Sequence, residues 1–158
     1  MEKREKTNVM RLLDGAGIAY EPHYYGGGAL SGAEVAQVLG EDPARVFKTL
    51  VTAGSPRAYY VFVIPATAEL DLKKAAHAAG EKSIRMLPQR ELLPLTGYVH
   101  GGCSPVGMKK RLPTFFDASA QACGGVYISG GKVGTQVFVS PADLQKLLPV
   151  SFCDLTAE

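Results

Sequence analysis

Apolar residues recur along this chain with two different periods, which predicts a mixture of helices and strands. Helical spacing over residues 9–16, with Thr7 as the N-cap and Gly17 as the stop, predicts a surface helix with one buried face. Residues 31–40 have the spacing of a capping box and end on a glycine, which predicts a second short helix. Both helices need a partner surface for their apolar faces.

Strand patterns dominate the middle of the chain. Residues 46–52 and 59–64 are rich in β-forming residues and flank the turn residues 54–56, which predicts an antiparallel hairpin. Further strands are predicted at residues 18–25, 84–86, 114–116, 126–129, 135–139 and 150–153, and further helices at residues 71–79, at residues 88–93 and from Ser140. Hairpins interleaved with single helices indicate one α/β (α+β) domain over residues 1–158 with a mixed sheet.

Composition and charge narrow the class of protein. The chain has 158 residues, 46% of them hydrophobic and 20% charged, which is typical of a globular domain with a core. Its net charge of +2 excludes a polycation, so affinity for nucleic acid would need a local patch. Several basic residues cluster in the middle of the chain, among them Lys73, Lys74, Lys82, Arg85, Lys109, Lys110 and Arg111. Without a secretory apolar core or a run near the ~20 residues of a membrane span, we expect a cytoplasmic protein with no membrane partner.

The three cysteines, Cys103, Cys123 and Cys153, are odd in number and widely spaced. They form no CxxC pair, which argues against a disulfide framework and against a zinc site. We therefore expect no metal and no cofactor.

Residues 101–113 form the most unusual segment, in which three glycines and two prolines bracket three consecutive cations. Glycine lets the backbone approach a ligand closely, and cations favour an anionic partner such as phosphate. The segment predicts a glycine-lined pocket with a basic rim. The triplet Lys109, Lys110 and Arg111 has a second interpretation, since basic triplets often lie on a solvated surface.

Lys48 is the most unusual single residue, because it interrupts an apolar strand. It could be an edge-strand lysine that reaches to water and guards against aggregation. It could also be a cation at the mouth of a pocket that binds phosphate or carboxylate. Strand alternation places it on one face with Val46 and Leu50.

A protein nucleophile finds little support in the sequence. The chain has no G-x-S-x-G elbow, and the three histidines form no recognisable triad with a serine. Cys103 has no evident base beside it, and a free cysteine usually behaves as a small hydrophobe.

Five strings in order, at residues 46–50, 70–74, 96–98, 101–113 and 127–132, resemble the YbaK/prolyl-tRNA-synthetase editing-domain family, in particular the YbaK-type Cys-tRNA(Pro) deacylases. The resemblance covers nearly the whole chain. It implies a mixed, mostly antiparallel sheet or partial barrel surrounded by helices. It also implies hydrolysis of the ester between a wrong amino acid and the 3′ end of tRNA. The expected partner is the acceptor end of tRNA(Pro), and prolyl-tRNA synthetase is a further candidate partner. Binding to DNA is not expected.

The resemblance also implies roles for individual residues. Lys48 would hold the terminal adenosine, the backbone at Gly101 would position the aminoacyl group, and Ser129 would close the opposite wall. Substrate-binding roles would fall to Tyr25, Thr49, Gly102, Ser104, Gly130 and Gln136, and tRNA-binding roles to Lys73, Lys74, Lys109, Lys110 and Arg111.

Gln136 stands where the resemblance would lead one to expect an aspartate. Glutamine can hydrogen-bond an amine or hydroxyl but cannot neutralise a cation. The family chemistry uses the substrate itself: a cysteinyl thiol attacks its own ester, with lyase-type release, or a ribose hydroxyl assists water. A small pocket would favour cysteine or alanine. Three functions remain open: Cys-tRNA(Pro) deacylase, Ala-tRNA(Pro) deacylase, and a noncatalytic module that binds an RNA end or a nucleotide.

Overall fold

The computed structural model describes residues 6–25 and 31–158. Its helices are α1 (Asn8–Gly15), α2 (Gly32–Leu39), α3 (Leu72–Ala79) and α4 (Gln89–Thr96). Its strands are β1 (Tyr20–Tyr24), β2 (Phe47–Ala53), β3 (Tyr59–Pro65), β4 (Arg85–Met86), β5 (Thr114–Asp117), β6 (Val126–Ser129), β7 (Thr135–Val139) and β8 (Val150–Cys153). The predicted break at residues 26–28 lies outside the described residues.

The helix caps explain why the helices begin where the sequence predicts. Thr7, Ser31 and Asp71 each accept a backbone N–H from the first turn, and Ser31 forms the full capping box with Glu34. Gly40 and Gly80 end α2 and α3 in the left-handed conformation that favours glycine. None of the described helices is long and apolar enough to cross a membrane.

The strands form two sheets. A three-stranded antiparallel sheet has the order β1-β7-β6, and a five-stranded mixed sheet has the order β4-β2-β3-β5-β8. The predicted hairpin of β2 and β3 is present, whereas β5 runs parallel to both β3 and β8. A parallel bridge between Val46 and Tyr127 links the two sheets, and they do not close into a barrel within the described residues. The expectation of a mixed, mostly antiparallel fold is confirmed.

The core has three parts that fix the position of the helices. The largest cluster joins the inner faces of both sheets with α1 and includes Val9, Phe47, Phe116 and Ile128. A second cluster packs α3 against the other face of the five-stranded sheet. A third packs α2 beside the junction of the sheets, where Val35 meets Val46 and Tyr127.

The prediction of a helix from Ser140 is wrong. Residues Asp143–Lys146 form a 3-10 helix instead, and Ser140 makes no side-chain cap. The backbone N–H groups of Asp143 and Leu144 bond three residues back, to Ser140 and Pro141. Bonds that span three residues rather than four make this segment a 3-10 helix, a form that occurs in short pieces.

Candidate active site

One cavity of about 330 Å³ lies where the start of β2, the loop after α4 and the outer face of the three-stranded sheet meet. Its described lining residues are Tyr25, Ser31, Val35, Val46, Phe47, Lys48, Leu50, Ala66, His100, Gly101, Cys103, Ser129 and Gln136. Five of the predicted site residues are therefore brought together, although they come from four separate stretches of chain. The volume lies at the small end of the range for ligand sites.

Lys48 reaches this cavity because of its place in β2. β2 lies between β4 and β3 in the sheet order, but β4 pairs only with Thr52 and Ala53, so β3 alone pairs with the strand at Lys48. The edge-strand interpretation of Lys48 therefore stands beside the pocket interpretation. Lys48 is paired with Ile64, and strand alternation turns it, Val46 and Leu50 to the same side. The side chain is half-buried and makes no ion pair or hydrogen bond with any described residue. A lysine without a countercharge in a concave site is suited to bind an anion.

The glycine loop supplies backbone to the cavity. Gly101 lies at its rim with φ +88°, a left-handed conformation that favours glycine. Gly102 is buried, and its N–H donates to the carbonyl of Val99. A Cβ on Gly102 would lie 3.1 Å from the backbone nitrogen of Val133. The glycine therefore permits the loop to pack directly on the turn between β6 and β7.

We expect Gly102→Ala to lower kcat/KM for the ester cleavage that the family resemblance implies by about tenfold, because pushing the loop away by a few tenths of an ångström misplaces the backbone at Gly101. Gly124→Ala is the matched control, since a Cβ there meets nothing within 4 Å. Steady-state kinetics on the two variants measures the effect. Equal activity of both would show that the contact between loop and turn does not shape the site.

Ser129 and Gln136 form the opposite wall, and they belong to a row of three side chains across the three-stranded sheet. Gln136 of β7 is paired with Ser129 of β6 on one side and with His23 of β1 on the other. The Ser129 hydroxyl accepts the N–H of Gly131 at 3.1 Å, which leaves its own O–H free to donate. The Oε1 of Gln136 and the Nε2 of His23 are buried, and neither has a hydrogen-bond partner among the described residues.

His23 was not singled out from the sequence. Nothing in its local pattern marks it, because it is placed beside Gln136 only by the pairing of β1 with β7, more than 100 residues along the chain. Its ring packs edge-on to Tyr127, with 5.2 Å between the ring centroids, and its Nε2 lies 3.7 Å from Oε1 of Glu21.

Four predicted substrate-binding residues do not line the cavity. Thr49 points to the opposite side of β2 from Lys48 by strand alternation, and its buried hydroxyl has no partner among the described residues. Ser104 is fully buried and accepts the N–H of Val106 at 3.2 Å. Gly102 and Gly130 lie behind the wall in close packing, the latter against Thr135. These residues support the shape of the site rather than its surface.

The predicted tRNA-binding cations are divided between two places. Lys109, Lys110 and Arg111 are exposed on the loop, whereas Lys73 and Lys74 lie on α3. Lys74 is engaged, since its Nζ lies 3.0 Å from Asp154 and donates to the carbonyl of Thr156 at 2.8 Å. Four of these five cations are therefore free of ion pairs with the described residues.

Cys103 lines the cavity but is a poor nucleophile there. Burial raises the pKa of its thiol to about 12, so the reactive thiolate is scarce at neutral pH. In addition, no group of His, Cys, Asp and Glu side chains within the described part of the chain could hold a metal ion.

Iodoacetamide at pH 8 should label Cys123 of the native protein and spare Cys103. A folded-state pKa raised far above the usual value keeps the Cys103 thiol protonated until the pH approaches that value or the chain unfolds. Peptide mass spectrometry after native and denatured labelling distinguishes the two sites. Native labelling of Cys103 at the rate of Cys123 would contradict the expectation.

Comparison with known proteins agrees with this geometry. The family model of the aminoacyl-tRNA editing domain matches residues 28–147, a span that contains Lys48, Gly101, Ser129 and Gln136. The chain belongs to the aminoacyl-tRNA editing domain family. This editing domain is 40% identical over 157 residues to an Enterococcus faecalis protein, EbsC, provisionally named a Cys-tRNA(Pro)/Cys-tRNA(Cys) deacylase, and the match covers 98% of this chain and 96% of that protein.

Two further relatives connect the editing domain with proline-tRNA ligases. A proline-tRNA ligase of Shouchella clausii is 33% identical over 84 residues, which is 53% of this chain and 14% of the ligase. A crystal structure provisionally described as a trans-editing enzyme for prolyl-tRNA synthetase superimposes with a TM-score of 0.84 at 25% identity, over 98% of this chain and all of that one. A third structure, of the hypothetical protein APE2540, has the same fold, with a TM-score of 0.85 at 23% identity over 94% of this chain and 99% of that one.

Proposed function

We propose that this editing domain is a trans-editing deacylase that cleaves the aminoacyl ester of mischarged tRNA, with Cys-tRNA(Pro) as its main substrate. The observation that carries the proposal is the convergence of an unpaired cation, Lys48, with the backbone of Gly101 and the polar wall of Ser129 and Gln136 in one small cavity. The name of the 40% identical relative agrees with this substrate.

Within this proposal, different residues of the cavity bind different parts of the substrate. Lys48 binds the phosphate or sugar oxygens of the terminal adenosine, and Tyr25 lines the same cavity. The Gly101 backbone holds the ester, while Ser129 and Gln136 face the aminoacyl group. A cavity of about 330 Å³ leaves little room for a large side chain. Exclusion by size therefore selects cysteine and alanine over larger amino acids.

The chemistry needs no protein nucleophile, because an aminoacyl ester is already activated. The cysteinyl thiol of the substrate attacks its own ester carbonyl, and the C–O bond to the ribose breaks as a C–S bond forms. The ribose oxygen receives the thiol proton, so tRNA leaves with a free hydroxyl and a cyclic thiolactone remains. Water then opens the thiolactone to cysteine. Positioning and electrostatic support from Lys48 and the backbone lower the barrier of the first step.

The exposed cations Lys73, Lys109, Lys110 and Arg111 are suited to meet the phosphates of the acceptor stem. A few phosphate contacts give weak, salt-dependent affinity with no sequence preference. Selection of tRNA(Pro) then comes from a partner, for which prolyl-tRNA synthetase is our candidate. The protein would act in the cytoplasm, where tRNA is charged, as one editing domain formed by residues 1–158.

Incubation with Cys-tRNA(Pro), Ala-tRNA(Pro) and Pro-tRNA(Pro), each labelled in the amino acid, tests the proposal. We expect rapid ester loss from Cys-tRNA(Pro), slower loss from Ala-tRNA(Pro) and only spontaneous loss from Pro-tRNA(Pro). If Ala-tRNA(Pro) is cleaved fastest, the protein is still a deacylase, but its main substrate is Ala-tRNA(Pro). Spontaneous rates with all three would instead favour a noncatalytic RNA-end binder.

A further inference from the structure

No carboxylate lines the cavity among the described residues, although the proposed substrate carries an amino group. The ionisable side chains of the lining are Tyr25, Lys48, His100 and Cys103. Residues 26–30, which follow Tyr25 in sequence, carry no ionisable side chain. Lys48 is the only permanently charged side chain of the described lining, and its positive charge disfavours an incoming ammonium ion.

The carboxylates of the neighbouring elements lie around the cavity without lining it. On β1, Glu21 is exposed and lies 3.7 Å from Nε2 of His23. On the face of β6 that also carries Ser129, Glu41 accepts the hydroxyl proton of Tyr127 at 2.7 Å. At the start of α2, Glu34 is exposed and accepts the backbone N–H of Ser31 at 3.0 Å. None of the three lines the cavity.

Gln136 provides the acceptor that the cavity does offer. The residue is only 7% exposed, it lines the cavity, and its Oε1 has no hydrogen-bond partner among the described residues. A buried carbonyl oxygen without a donor is costly, and an N–H of a bound ligand would satisfy it. A carboxylate at this position would offset the cost of placing a full positive charge near Lys48, but an uncharged amide oxygen cannot. The amide oxygen can still accept a hydrogen bond from a neutral amine.

We infer that the site binds the aminoacyl group with its α-amino group uncharged, and that Oε1 of Gln136 accepts an N–H from that amine. The inference rests on the proposed function and adds the protonation state of the substrate to it. Gln136 thereby becomes a specificity-determining residue. Editing should favour the fraction of aminoacyl-tRNA whose amine has lost its extra proton, a fraction that rises with pH.

Two ligands that cannot be hydrolysed test this directly. One is adenosine with alanine joined through a 3′-amide, and its control carries lactic acid in place of alanine. Alanine is chosen because it has no thiol to titrate. The control replaces the amine by a hydroxyl, which donates to Gln136 but does not titrate near neutral pH. The two ligands differ only at this group, so the difference between their pH profiles reports how the site binds the amine.

Calorimetric Kd values at pH 6 and pH 8.5 give the answer. With an amine pKa near 7.7, strict selection of the neutral form predicts that the alanyl ligand binds about 40-fold tighter at the higher pH. We expect the lactyl ligand to change by less than about threefold. The Gln136→Glu variant keeps the side-chain shape and adds a negative charge. At pH 6 this variant should bind the alanyl ligand more tightly than the unmodified protein does, and the pH dependence should disappear. Unchanged binding of the lactyl ligand would show that the pocket of the variant is intact.

Three results would overturn the inference. The Kd of the alanyl ligand could change by less than threefold relative to that of the lactyl control. The alanyl ligand could bind less tightly at the higher pH, or its binding could be too weak to detect at both pH values. The proposed function is judged separately, by cleavage of Cys-tRNA(Pro). If Cys-tRNA(Pro) is cleaved but the Kd of the alanyl ligand does not depend on pH, the proposed deacylase function holds and only the selection of the neutral amine is wrong.

Discussion

Replacing Lys48 with alanine should lower kcat/KM for cleavage of Cys-tRNA(Pro) at least about 100-fold, the usual loss when one preorganised charge-stabilising donor is removed. The ammonium group is the only permanently charged group among the described lining residues, so no neighbour can replace it. Folding should be nearly unaffected, because the ammonium makes no ion pair or hydrogen bond with the described residues. We expect the melting temperature to change by no more than about 3 °C.

Two further variants separate charge from packing. Lys48→Met keeps an apolar stem of similar length and removes only the charge, so it should be as inactive as the alanine variant. Lys82→Ala removes an exposed lysine that lines none of the described cavities and should retain full activity. Single-turnover ester release, with melting curves on the same samples, measures both quantities. If the Lys48→Ala variant turns over substrate at a near-normal rate, Lys48 has no role in the mechanism.

The elements that local sequence predicts well are those that local chemistry determines. The hairpin of β2 and β3 follows from two β-forming runs around a short turn, and α3 follows from a capping aspartate and a terminal glycine. The division into two sheets could not be predicted in the same way. It depends on parallel pairing of β5 with β3 and β8, between segments distant in sequence. The segment from Ser140 has the sequence of a helix start, but its backbone bonds span three residues rather than four and form a 3-10 helix at Asp143–Lys146.

The candidate site shows the same division. Lys48 could be found from sequence because a lysine inside an apolar strand is unusual, and alternation already placed it with Val46 and Leu50. The same alternation separates Thr49 from it, whereas the family resemblance groups the two. The adjacency of His23, Gln136 and Ser129 arises only from sheet register. No pattern within any one of these strands contains that information.

Removal of the Phe116 ring should cause a large loss of stability. The side chain is fully buried at the centre of the largest core cluster, with ring centroids 6.4 Å from Phe47 and 6.1 Å from Phe152. Phe116→Ala should therefore lower the free energy of unfolding by about 3–5 kcal/mol, which combines lost burial with the cavity left behind. For a chain of this length, the melting temperature should fall by about 10 °C.

Phe115→Ala is the matched control for this prediction, because Phe115 is the next residue on β5 and faces the other side of the sheet. It is half-buried and stacks on Phe62 with ring centroids 5.3 Å apart, so its loss should cost less. Urea unfolding of the two variants gives the comparison. A smaller loss for Phe116→Ala than for Phe115→Ala would mean that the main core does not lie between the two sheets. Phe47, whose ring centroid lies 6.4 Å from that of Phe116, also lines the cavity, so the main core directly supports the site.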